Sequence, residues 1–216
     1  MLDFQDFFTA CTGLWKTERI YHSVLQGQVE RSYTEFRVES LTGEQKQQIL
    51  SLSQLSKINV DMAQVKWDEI VCPGFAIAFD TVSETGEELS MSIKALFIPD
   101  AYIHSDEMSA KVPPLPVGIQ VPITEEVIEG FYLRDEGYSE AGAVASRFTY
   151  LPTRQTLEMI TYYRRSVAVD QMRLVSPDLR LRTIITYQGR ESGEAPTVID
   201  LVGFGVERRE SLNPRA

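Results

Sequence analysis

Two arginines and one carboxylate stand out in the last third of the chain. In "SPDLRLRTIIT" (176–186), Arg180 and Arg182 alternate with Leu179 and Leu181. The run is apolar and β-branched, lies between a proline and a Gly-bearing turn, and so predicts a strand. Successive side chains of a strand point to opposite faces, so the two arginines share one face and the two leucines the other. Turned inward, two planar guanidinium forks could grip carboxylates bidentately. Turned outward, they would solvate a sheet wall, and strand periodicity taken alone favours that. Asp170, ten residues before Arg180, could neutralise an arginine or act as an acid. Arg164, Arg165 and Arg173 add to the local basic density, and Tyr162, Tyr163, Trp15, Trp67 and Phe148 could line a pocket or serve as ordinary core.

Other chemistries have little support in the sequence. There is no Walker loop, GxGxxG or GxSxG pattern, and "GFG" (203–205) is too short to count. His22 and His104 stand alone, without a second His or Cys at ligand spacing, so no metal site is expected. Cys11 and Cys72 form no CxxC pair, which argues against a disulfide framework and for a reducing compartment. The net charge of -10 over 216 residues gives no general attraction to nucleic acid or anionic membranes, so an anionic ligand must meet a local basic cluster. The N-terminus lacks the pattern of a signal peptide, and no apolar run is long enough to span a bilayer; a soluble, intracellular protein is expected.

The elements that must position these residues are mostly strands. Phe4, Phe7, Phe8 and Cys11 follow the helical period and predict a short helix over about 3–11 that lays an aromatic stripe on something larger. A second helix is expected over about 42–57, with Ile49, Leu52 and Leu55 as its stripe. About ten alternating segments separated by short turns make up most of the rest. Residues 105–118, with Pro113, Pro114 and Pro116, read as one long irregular connection. The expectation is a mainly β single domain over 1–216, an antiparallel up-and-down barrel that removes exposed sheet edges and holds one small ligand. A β-sandwich is the competing architecture.

Three stretches in order sharpen this reading: "FFTACTGLWKTERIYH" (7–22), "YLRDEGYSEAGAVASRFTY" (132–150) and "SPDLRLRT" (176–183). Together they resemble the S-type (CpcS/CpeS) phycobiliprotein lyases of cyanobacteria and of algae with phycobilisome pigments. The matching positions are Phe7, Phe8, Gly13, Trp15, Arg19 and His22, then Arg134, Gly137, Tyr138, Glu140, Arg147 and Phe148, then Ser176 through Thr183. The resemblance implies a lipocalin-like, fatty-acid-binding-protein-like barrel of about ten strands with an N-terminal helix. It implies a linear tetrapyrrole, phycocyanobilin or a related phycobilin, as substrate rather than tightly bound cofactor. The implied activity is thioether attachment of that bilin to a cysteine of a phycocyanin- or allophycocyanin-type subunit. On this reading Arg180 and Arg182 face the cavity and bind propionates, with the leucines packed outward under neighbouring elements. Asp170 acts as acid or as partner of a bilin nitrogen, and Arg19, Trp15, Arg147 and Tyr163 line the pocket. A homodimer or a heterodimer with a homologue, in the cyanobacterial cytoplasm or plastid stroma, goes with the resemblance. The alternative is a non-catalytic bilin or fatty-acid carrier on the same barrel. The chain departs from the family pattern at Asp170, Gln171 and Ile184, where a glutamate, an arginine and a serine are common.

Overall fold

The computed structural model describes residues 1–53, 72–103, 115–116, 126–137, 142–189 and 194–210. Its frame is a closed barrel of ten strands, each antiparallel to its neighbours, with the last strand pairing with the first. In chain order these are β1 (Gly13–Ser23), β2 (Gln28–Ser40), β3 (Gly74–Ser83), β4 (Glu88–Pro99), β5 (Ile128–Arg134), β6 (Val144–Leu151), β7 (Thr156–Tyr162), β8 (Ser166–Ser176), β9 (Leu179–Gln188) and β10 (Ile199–Arg209). The up-and-down expectation holds and the sandwich is excluded. Trp67, His104, Tyr138 and Glu140 lie outside the described residues.

Helix α1 (Phe4–Ala10) plugs one end of the barrel. Asp3 caps it, its side chain accepting from the Asp6 amide at 2.7 Å. The aromatic stripe is buried among strand residues: Phe4 stacks on Phe148 at 5.4 Å, Phe7 lies 4.9 Å from Tyr150, and Phe8 lies 4.6 Å from Phe97. Those rings are committed within the chain. Beneath them the inner wall is filled by Trp15, Phe36, Phe97, Tyr150 and Leu157, so this half of the barrel is solid core.

Helix α2 (Gly43–Ser53) begins with a capping box. The Gln45 amide donates to Thr42 Oγ1 at 3.2 Å, and the Thr42 amide donates to Gln45 Oε1 at 2.9 Å. Its Ile49 and Leu50 cover Leu96, Ile98 and Leu133 on the outside of β4 and β5. A further outer cluster of Ile160, Val167, Val169 and Tyr187 takes Leu115 from the long connection. The opposite phase of each of these strands supplies the interior.

Truncating Phe7, which is fully buried, to alanine is expected to destabilise the fold by about 3–5 kcal/mol. Urea unfolding followed by tryptophan fluorescence measures this; a loss under about 1 kcal/mol would mean that α1 does not seal the barrel.

Candidate functional site

The site is built on two charged layers above the aromatic plug. In the lower layer the register places Thr17 of β1, Glu207 of β10, Arg180 of β9 and Leu174 of β8 side by side. Glu207 is fully buried, and Arg180 donates to its Oε2 from Nε at 2.9 Å and lies within 2.8 Å through Nη2. The Arg180 guanidinium sits 3.9 Å from the Trp15 ring centroid, and that of Arg209 sits 4.8 Å from it. Both cations reach the end of α1: Arg180 Nη1 donates to the Cys11 carbonyl at 3.4 Å, and Arg209 Nη2 donates to the Ala10 carbonyl. Trp15 Nε1 also donates to Cys11, at 3.0 Å. A helix C-terminus carries orphan carbonyls and partial negative charge, so guanidinium donors there stabilise it.

Burial alone would push the Glu207 carboxyl up. The guanidiniums of Arg180, Arg182 and Arg19 outweigh that and leave it below the ordinary carboxylate range. Glu207 is therefore an anion embedded among cations.

The upper layer opens into a cavity of about 360 Å³ at the end of the barrel away from α1. Here the register aligns Ser32, Arg19, Gly205, Arg182 and Met172 across β2, β1, β10, β9 and β8. The next layer aligns Tyr21, Gly203, Ile184 and Asp170. Arg182 reaches diagonally to Asp170, donating from Nε to Oδ1 at 2.7 Å and from Nη2 to Oδ2. Arg19 Nη2 reaches Glu207 Oε1 only at 3.4 Å. Across the cavity, Arg134 Nη2 donates to the Tyr163 hydroxyl at 2.6 Å, and the Tyr132 and Thr161 hydroxyls bond at 2.9 Å. Phe36, Ile77 and Phe79 supply apolar wall.

Glycine is required where these side chains cross β10. A Cβ on Gly203 would stand 2.6 Å from the Tyr21 ring, and one on Gly205 would stand 2.8 Å from Thr17 Oγ1 and 3.2 Å from Arg19 Cγ. The "GFG" run thus turns two gaps inward and Phe204 outward, where that ring stacks with His22 at 5.7 Å.

The structure brings together Asp170, Arg182, Arg19 and Tyr163 in one cavity. Arg180 faces inward too, but lies below the cavity in the ion pair with Glu207, and Trp15 is buried beneath it. Arg147 lies on the outer face of β6, in a bidentate pair with Asp100 at 2.7 and 2.6 Å and over the Phe131 ring. It is not among the residues lining this cavity, because its strand phase is opposite to that of buried Ser146 and Phe148. Leu181 is 41 % exposed rather than packed under another element. Gln171 points outward to Glu158, whereas Ile184 faces the cavity directly opposite Asp170. Sequence reasoning did not single out Glu207, which reads in "GVERR" as strand-end surface charge. Arg134 lies in the run "YLRDEGY", and its alternation with Tyr132 carried the signal for a shared inner face. Among the described residues, no group of three or more His, Cys, Asp or Glu could hold a metal ion. No described helix is long and apolar enough to cross a membrane.

The family model for CpeS-like proteins matches residues 3–111 and 114–210. The chain belongs to the CpeS-like family. A curated relative, chromophore lyase CpcS/CpeS 1 of Synechococcus sp. (strain JA-3-3Ab), is 38% identical over 206 residues, covering 95% of this chain and 96% of the relative. Chromophore lyase CpcS/CpeS 2 of Synechocystis sp. (strain ATCC 27184 / PCC 6803 / Kazusa) is 24% identical over 186 residues, covering 84% of this chain and 79% of the relative. Among solved structures, the S-type phycobiliprotein lyase CPES from Guillardia theta superposes with a TM-score of 0.64 at 15% identity, covering 98% of this chain and 95% of that one. That likeness shows a shared fold. Within this CpeS-like barrel, the sequence run that carried the resemblance divides its two arginines between two jobs, one beneath the cavity and one in its wall.

Because the Glu207 carboxyl is held below its ordinary value near 4.5, its contribution to stability is present above that pH. That contribution is lost as the pH falls below 4.5 and through the depressed folded-state value. Glu207→Gln is expected to cost about 3–5 kcal/mol at pH 7, since it strands a buried guanidinium, and to flatten this acid limb of the stability profile. Urea midpoints from pH 7 to pH 3 read both effects; an unchanged acid limb in the variant would contradict the assignment.

Proposed function

We propose that this chain is a bilin lyase: it binds a linear tetrapyrrole of the phycocyanobilin type and promotes its thioether attachment to a cysteine of a phycobiliprotein subunit. The observation that carries this reading is the convergence of Arg19, Arg182 and Asp170 on one open cavity in a chain of the CpeS-like family. A bilin has two propionates and a long conjugated body. Guanidinium forks suit the carboxylates, and the walls from Phe36, Ile77 and Phe79 suit the pyrroles. On this reading Arg182 and Arg19 bind the propionates, and Arg134 with Tyr163 offers a further polar anchor across the cavity. Arg180 acts through the floor and not on the ligand. A cavity of about 360 Å³ lies at the small end of ligand pockets, so part of the tetrapyrrole extends beyond the mouth.

The covalent chemistry then needs no nucleophile from the lyase. The client's thiol sulfur bonds to the exocyclic ethylidene carbon of ring A, and a proton ends on the adjacent ring carbon; no group leaves. The barrel contributes by holding the ring in reach, and Asp170 acts as proton donor or as partner of a pyrrole nitrogen. Ile184, opposite Asp170, makes that corner of the site apolar. The client is taken to be a phycocyanin- or allophycocyanin-type subunit, met in the cyanobacterial cytoplasm or plastid stroma. A single domain working as a homodimer, or paired with a homologue, completes the proposal.

Incubating the protein with phycocyanobilin and an apo-subunit, then visualising zinc-enhanced bilin fluorescence on a denaturing gel, tests the reading. Covalent adduct well above the spontaneous background is expected; a bilin spectral shift without added adduct would leave a carrier in place of a lyase. Arg182→Ala is expected to weaken bilin binding about tenfold or more, equivalent to about 1.4 kcal/mol, with the fold retained. Arg180→Ala is instead expected to lower the melting temperature by about 10 °C. If Arg180→Ala left stability intact and abolished binding, the division of labour would be the reverse.

A further inference from the structure

The anion-binding edge of Arg182 is taken by a side chain of this barrel. Its Nε and Nη2 both donate to Asp170, one to each carboxylate oxygen, which is the bidentate arrangement a ligand carboxylate would seek. Its Nη1 is turned toward Met172 Sδ at 3.9 Å. The pair is partly sheltered, with side-chain exposures of 11% for Arg182 and 19% for Asp170, and it lies on the cavity wall. Arg180 offers no alternative landing place, because Glu207 and the α1 carbonyl hold it below the floor.

We propose that the Arg182–Asp170 ion pair is a latch that the ligand's own carboxylate opens. The incoming carboxylate takes the Nε–Nη2 edge of Arg182 and displaces Asp170, whose oxygens are then presented to the tetrapyrrole body lying in the same cavity. Anion binding thereby delivers the carboxylate to the reacting part of the ligand, and an uncharged molecule of the same shape leaves it locked. This inference rests on the bilin reading above and assigns Asp170 a cost in affinity together with its role beside the ligand.

The geometry supports exchange over simple addition. Two carboxylates on one guanidinium edge would place like charges within a few ångströms in a sheltered site. The other charged groups that line the cavity are Arg19 on β1, Arg134 on β5 and Glu30 on β2. Asp170 can swing away from Arg182 without losing a second anchor, since Arg182 is the one hydrogen-bond partner its carboxylate has among the described contacts. Its cross-strand neighbours, Ile184 and Met159, offer no competing donor.

The test compares dissociation constants of phycocyanobilin and of its dimethyl ester, read by absorbance and fluorescence, for four proteins: wild type, Asp170→Asn, Arg182→Gln and the double variant. Asp170→Asn removes the competitor while keeping shape. It is expected to raise the preference for the free acid over the diester by about tenfold. In the Arg182→Gln background the same substitution is expected to change that preference less than twofold. Glu30→Gln, which removes a cavity carboxylate not bonded to Arg182, controls for bulk charge and is expected to leave it within twofold. An unchanged or lowered preference in Asp170→Asn overturns the latch, as does an equal rise with Glu30→Gln or without Arg182. Failure of the wild type to bind either compound would overturn the bilin reading itself, a result distinct from tight binding with no Asp170 effect.

Discussion

The buried pair between Glu207 and Arg180 is the interaction on which the rest of the site depends. Removing two charges from water is expensive, and attraction offsets that only when geometry and extra hydrogen bonds are good. Here both conditions are met by parts that come from separate regions of the chain. β10 brings the carboxylate, β9 brings the guanidinium, β1 brings the Trp15 ring, and α1 brings carbonyls that lack partners within their own helix. The same contacts therefore seal the barrel, seat the helix and pair the two charges. They also consume Arg180, which leaves Arg182, one layer higher, as the β9 arginine presented to the cavity.

The strand geometry explains why the two arginines diverge despite sharing a face. Residues two apart on a strand lie about 6.6 Å apart, far enough to put one in the packed half of the barrel and the other in the open half. Glycines on β10 make the difference usable. Gly205 stands directly between Arg19 and Arg182 in the register, and the missing side chain gives the two guanidinium stems room on the inner wall. A larger residue there would fill the cavity floor from within.

Much of the fold was legible from local pattern. Period-two alternation exposed the strands, the aromatic stripe exposed α1, and the apolar stripe beginning at Ile49 exposed α2. Alternation also showed that Arg180 and Arg182 travel together, but it carries no information on strand partners. Glu207 lies 27 residues after Arg180, and only the closed register makes them neighbours. For the same reason Arg147 could be mistaken for a cavity residue: its motif marks it, yet its phase turns it outward to Asp100. The departures sort themselves by phase as well. Gln171 falls on the outside, where it bonds Glu158, while Ile184 falls in the cavity facing Asp170.

A double-mutant cycle on unfolding free energy between Arg180→Met and Glu207→Gln tests the central claim most directly. If the pair is the keystone of the floor, the double variant recovers much of the stability lost by either single change, with a coupling energy of about 2–3 kcal/mol. Additive losses, with coupling below about 0.5 kcal/mol, would mean that the two groups do not hold the floor together and that Arg180 is available to a ligand.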